Sequence, residues 1–158
     1  CINPGFVLGD FLNEKTCTSM EYVKQLLQGK FPAAPKFSVM ISHVKDIAKA
    51  HVLSLTNERA GGRRLIVGSE VRSILELSQI MAKNIPSHAK KLPKRELPNF
   101  MVKLLSYVDT SAKNMVPDLG LKMQTDQTYA EDILQMKFIA SEIAVVDAAK
   151  SVIRLNIA

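Results

Sequence analysis

The chain contains no tryptophan, and Phe and Tyr together supply only 6% of its residues. That leaves no series of aromatic rings on which unpaired bases could stack, which argues against a single-strand nucleic-acid platform. Only two cysteines occur, Cys1 and Cys17, and neither has another Cys or a His at metal-ligand spacing. A zinc site is therefore not expected, and without a secretory signal both thiols are expected to be reduced. No apolar run approaches the roughly 20 residues that span a bilayer. The sequence opens Cys1-Ile2-Asn3-Pro4, with no charged leader and no cleavage signal. It starts inside an apolar strand, so it reads as the back half of a larger cytoplasmic protein.

Motifs of self-sufficient enzymes are missing as well. There is no G-x-G-x-x-G, no Walker A pattern and no G-x-S-x-G elbow. Gly61-Gly62 leads through Arg63 into a strand instead of joining strand to helix, so it is a turn. His43, His51 and His88 are dispersed, His51 reading as a packing residue on an apolar helix face, and the carboxylates are scattered. Nothing within the chain assembles an acid–base or nucleophilic site.

What is present is an ordinary globular mixture, 47% hydrophobic and 23% charged over 158 residues, enough for one domain with a buried core. The net charge is +6, part of it in the run from His88 to Arg95. Prolines 86, 93 and 98 around that run favour a solvated loop over a phosphate-binding patch. Residues Cys1 to Leu8 read as one buried strand closed by Gly9-Asp10. A helix capped by Ser19 follows, its stripe of Met20, Val23, Leu26 and Leu27 ending at Gly29.

A strand is expected over Phe37–Ser42, then a helix over Val44–Thr56 with Ile47, Ala48, His51, Val52 and Leu55 on one face and Asp46 in its first turn. A third strand covers Leu65–Val67. Ser73 starts a helix with Ile74, Leu77, Ile80 and Met81 inward. One or two helices are expected between 97 and 116, with a break at Asp109-Thr110-Ser111. A short strand over Lys122–Thr125 and a brief helix capped by Asp126 come next. The last helix, Ser141 to Leu155, is expected to bury Ile143, Val146, Ala149, Val152 and Ile153. The fold class is α/β, mostly helical with a few short strands.

Four segments occur in a telling order: Asn3-Pro4-Gly5-Phe6-Val7-Leu8-Gly9, Ser19-Met20-Glu21-Tyr22-Val23, Val44-Lys45-Asp46-Ile47-Ala48-Lys49-Ala50-His51, and Ala130-Glu131-Asp132-Ile133-Leu134. Together they resemble the C-terminal part of extended short-chain dehydrogenases/reductases, in the dihydroflavonol-reductase-like branch of the NAD-dependent epimerase/dehydratase group. The resemblance implies a Rossmann-type parent, with residues 1–158 forming its substrate-side domain and the dinucleotide-binding domain lying upstream. It implies NAD or NADP as cofactor of the parent and none for the chain alone. Pro4, Gly5, Phe6 and Val7 would meet the nicotinamide carboxamide through their backbone, and Ser19 would face the cofactor phosphates at a helix N-terminus. Asp46 would orient its helix and do no chemistry.

The catalytic Tyr-x-x-x-Lys pair of the family is absent, so no catalytic residue is assigned here. Departures appear late in the chain. Tyr129-Ala130 and Leu134-Gln135-Met136 stand where the family has Lys-Ala and Leu-Gly-aromatic. Ile139 falls near the place of an Arg that holds a sugar-nucleotide diphosphate, which favours a small carbonyl or alcohol substrate. The expected partner is the missing N-terminal half, or a second copy. The other reading is a non-enzymatic module that binds protein or RNA through Lys90 to Arg95.

Overall fold

The computed structural model describes residues 1–15, 17–107, 116–121 and 123–157. Its strands are β1 (Ile2–Pro4), β2 (Phe6–Leu8), β3 (Ala34–Pro35), β4 (Ser38–His43), β5 (Leu65–Val67), β6 (Val71–Ser73) and β7 (Glu96–Leu97). The helices are α1 (Thr18–Leu27), α2 (Val44–Thr56), α3 (Ile74–Asn84), α4 (Asn99–Leu105), α5 (Thr128–Leu134) and α6 (Ser141–Arg154). Short 3-10 turns cover Glu58–Ala60 and Val116–Asp118. The expected break at 109–111 lies outside the described residues, as does Lys122. No strand forms over 123–127.

The opening segment is not one strand. It divides at Gly5: β1 runs parallel to β5 in a two-stranded sheet, and β2 runs parallel to β4 in a three-stranded sheet, where β4 also pairs antiparallel with β6. Periodicity could not reveal this, because each half is apolar and only their partners differ.

Two cores result. The larger gathers the inner stripe of α1 (Met20, Val23, Leu26, Leu27) with Ile41 of β4, Leu77 and Met81 of α3, and the small residues Ala144, Ala148 and Ala149 of α6. The smaller lies between α2, α5 and the β1–β5 sheet, around Ala50, Leu65, Val67 and Ile133. Helix ends follow local chemistry. Gly29, at φ 76°, closes α1, with its N–H on the Leu26 carbonyl and the Lys30 N–H on the Gln25 carbonyl. Ser73 and Glu76 form a reciprocal capping box at the start of α3.

Two helix faces depart from expectation. The predicted inner face of α2 points outward: Ala48 and His51 are exposed, Val52 is 65% exposed and Leu55 84%, while Asp46 and Ala50 are the buried residues. His51 accordingly does not pack in the core; its Nδ1 lies 2.8 Å from the Ile47 carbonyl of its own helix. In α6, Ile143 is 51% exposed, and the buried face consists of Ala144, Val145, Ala148, Ala149, Val152 and two serines. Close packing against α1 and α3 selects small residues there.

Candidate functional site

Gly5 is where the chain leaves one sheet and enters the other, and that transition fixes the first candidate segment. Pro4 and Gly5 are exposed; Phe6 and Val7 are half-buried. Having left β5, the Gly5 N–H donates to the hydroxyl of Ser42 at 2.8 Å. That hydroxyl in turn donates to the Val67 carbonyl at 2.6 Å. A side chain at position 5 would collide with the Met40 carbonyl and reach within 3.0 Å of Met40 Cβ. Sterics therefore require glycine here, whatever ligand the segment meets.

Phe6 connects this segment to α1. Its ring meets Tyr22 edge-on with centroids 5.9 Å apart, and Tyr22 leans on Phe31 at 5.1 Å. The Tyr22 hydroxyl is buried without a partner among the described residues, and burial pushes its pKa up. Ser19 lies three residues before Tyr22, so the Pro4–Val7 and Ser19 segments belong to packed neighbours, β2 and α1.

Ser19 is not the N-cap. The helix begins at Thr18 and Cys17 takes the cap position, while Ser19 sits buried in the first turn. No side chain caps this end. The first-turn N–H groups thus lack a capping hydrogen bond, only the Cys17 sulfur facing the Ser19 and Met20 amides, and such a helix start is suited to receive an anion. Partial burial pushes the Cys17 thiol up, but the Ser19 hydroxyl, with Sγ···Oγ at 3.5 Å, and the Met20 and Ser19 amides outweigh it and hold the thiol below its usual value.

A second cluster was not legible as a unit. Asp46, 4% exposed, accepts the Ile139 N–H on Oδ2 at 2.7 Å. Glu70 accepts the Ser141 N–H at 2.8 Å, and Arg72 Nε donates to the Ser141 hydroxyl at 2.9 Å. Two carboxylates thus clip the backbone entering α6. From the first turn of α2, Asp46 holds the backbone at residue 139. His43 caps α2: its Nδ1 accepts the Lys45 N–H at 3.1 Å, which leaves the proton of the neutral ring on Nε2, 3.4 Å from Asp147 Oδ2. A His directly before an amphipathic run was the available signal, and Ser, Thr, Asp and Asn are the residues one looks for in that place.

Burial pushes the Asp46 carboxyl above its ordinary value of 3.8, with the Ile139 N–H, His43 and Lys49 pulling back only part of the way. The folded chain therefore holds this proton to higher pH than the unfolded chain does. The stability owed to Asp46 is full below the unfolded value, falls as pH rises through the folded value, and is flat beyond it. Urea unfolding of the wild type and Asp46→Asn from about pH 4 to pH 7 checks this. The wild type should lose ground against the variant as pH rises. A difference that moves the other way would show that the hydrogen bond to Ile139 outweighs burial.

The basic run forms turns anchored by buried Leu92 and Pro93, as a loop reading expects. Cys1 and Cys17 are both free and exposed. Among the described residues no three His, Cys, Asp or Glu side chains gather as metal ligands, and no helix is long and apolar enough to cross a membrane. The arrangement offers backbone donors and acceptors, one uncapped helix start and apolar walls: means of holding a ligand.

No family model matches the chain. Among curated proteins, it is 30% identical over 87 residues to tetraketide alpha-pyrone reductase 2 of Arabidopsis thaliana, covering 55% of this chain and 27% of the relative. It is 34% identical over 86 residues to cinnamoyl-CoA reductase CAD2 of Medicago truncatula, covering 54% and 26%. The matches thus span about a quarter of these relatives. Among solved structures, Gre2 of Candida albicans in complex with NADPH superposes with a TM-score of 0.71 at 23% identity, over 98% of this chain and 43% of that one. The fold is that of Rossmann-type short-chain reductases, of which this chain matches less than half.

Proposed function

We propose that this chain, which corresponds to the C-terminal part of the extended short-chain dehydrogenases/reductases, supplies the substrate side of an NAD(P)-dependent oxidoreductase acting on a small carbonyl or alcohol, and is inactive alone. The observation that carries the reading is the Pro4–Gly5 crossover. An exposed backbone stretch at the end of a parallel strand, fixed from behind by Ser42, is suited to meet a nicotinamide carboxamide. The α1 start, with no capping side chain, suits the phosphates, through its N–H groups more than through the buried Ser19 hydroxyl. The cofactor, when bound, supplies the hydride; the residues here hold and orient. Ile139, half-buried with its N–H committed to Asp46, offers no cation for a diphosphate, which favours a small substrate. Both curated relatives are named as reductases.

The partner in this reading is a nucleotide-binding half. Parallel sheets are ordinarily covered on both faces, and a two-stranded sheet is marginal by itself. The three-residue β1–β5 pair has no further strand on its β1 edge among the described residues, and the apolar stripe of α2 faces outward nearby. A sheet extending past β1 would complete the one and cover the other.

The test compares the 158-residue chain with the protein encoded when its upstream transcript sequence is included. Titrated with NADPH, the chain alone should give no saturable fluorescence change at micromolar concentrations. The longer protein should bind the cofactor and oxidise it in the presence of aldehydes or ketones. Saturable binding by the chain alone would refute its inactivity. An upstream sequence without a glycine-rich strand–turn–helix and a Tyr-x-x-x-Lys pair would refute the reductase reading.

A further inference from the structure

We propose that Ser42 is a positioning residue for the cofactor-facing backbone at Pro4–Gly5; this rests on the reductase reading above. Ser42 is fully buried in β4 and touches no ligand surface itself. Its hydroxyl sits where two sheets part. On one side it accepts the Gly5 N–H at 2.8 Å, and on the other it donates to the Val67 carbonyl at 2.6 Å. An amide can only donate and a carbonyl can only accept, so the direction of this relay is fixed. One hydroxyl thereby replaces the ladder bonds that the chain gives up when it leaves β5 for β4.

Neighbouring bonds stiffen the junction without duplicating the relay. The Ser69 N–H donates to the Ile41 carbonyl at 2.8 Å, and the Ile41 N–H to the Glu70 carbonyl at 3.1 Å. These tie β4 to the segment after β5, and neither reaches position 5. Met40 packs beneath both Gly5 and Gly68, so the crossover has little room to shift toward β4. Its neighbours Pro4 and Phe6 are held in ladders opposite Val67 and Ile41, and at position 5 the bond to Ser42 opposes lifting away. Ser42 holds it down, and so sets where the Pro4–Gly5 peptide meets a ligand.

Two substitutions test this, Ser42→Ala, which removes the relay, and Ser42→Cys, which keeps a weak donor and acceptor of similar shape. In the 158-residue chain, hydrogen exchange of the Gly5 amide should accelerate about tenfold or more in Ser42→Ala and less in Ser42→Cys, as loss of one buried bond implies. In the longer protein, KM for NADPH should rise about tenfold in Ser42→Ala with kcat changed far less, as loss of uniform binding requires. Should Ser42→Ala fail to fold, Ser42→Cys carries both readouts.

Unchanged Gly5 exchange, or faster exchange with unchanged KM, overturns the positioning role while leaving the reductase reading intact. A wild-type longer protein that neither binds nor oxidises the cofactor overturns the reductase reading and this role with it, even if Gly5 exchange responds.

Discussion

Gly5→Ala is expected to destabilise the chain by about 3 kcal/mol or more, at or beyond the upper end of what overpacking commonly costs. The reason is contact, since Gly5 is not among the positive-φ residues. A single methyl would run into the Met40 carbonyl, and backbone cannot swing aside as a side-chain tip can. To accommodate it, the Gly5 junction and β2 would have to rise from β4, breaking the Gly5–Ser42 bond and disturbing the Phe6–Tyr22 contact.

Gly62 is the control. It has φ 66° and nothing within 4 Å of the added carbon, so Gly62→Ala meets conformational strain alone, about 1 kcal/mol. Urea unfolding of the two variants separates steric from conformational cost. Equal losses would show that the crossover is softer than its contacts imply.

The elements were legible where one signal dominated. The stripe Met20, Val23, Leu26 and Leu27 with a terminal glycine located α1, and Val44–Thr56 was located to the residue. Ser73 marked the start of α3, where the structure adds Glu76 as the other half of a capping box. What periodicity cannot supply is the identity of the partner. The split at Gly5 depends on which distant strand lies alongside, β5 or β4, and both lie more than 30 residues away.

The α2 face was misassigned for a related reason. Ile47, Ala48, Val52 and Leu55 form a genuine apolar stripe, yet much of it is uncovered in this chain. The candidate site was legible as segments and not as bonds. Pro4–Val7 and Ser19 are singled out by family likeness and not by local pattern. Ser42 and Glu70 bond to backbone far away in sequence, and His43 reaches the Asp147 carboxylate, partners for which local pattern gives no signal.

Ala148→Leu should cost about 3 kcal/mol, whereas Ile143→Ala should cost less than about 1 kcal/mol, the reverse of what the size of the side chains suggests. α6 packs against α1 and α3 and lies over β2 and β4, so it is the most enclosed helix of the larger core. Ala144, Ala148 and Ala149 have no exposed surface, and their small size lets the helices approach closely. Three added carbons at position 148 must displace α1, α3 or the sheet, because packed interiors have no spare volume of that order.

Ile143 sits on the same helix with half its surface in water, so truncating it removes little buried area. For a chain of 158 residues, about 3 kcal/mol corresponds to a fall in Tm of roughly 10 °C. Thermal melting of the two variants side by side decides between the two phases of α6. If Ile143→Ala proves the more damaging, the helix is rotated so that the stripe Ile143, Val146 and Ile153 faces inward, and the alanine face does not pack as described.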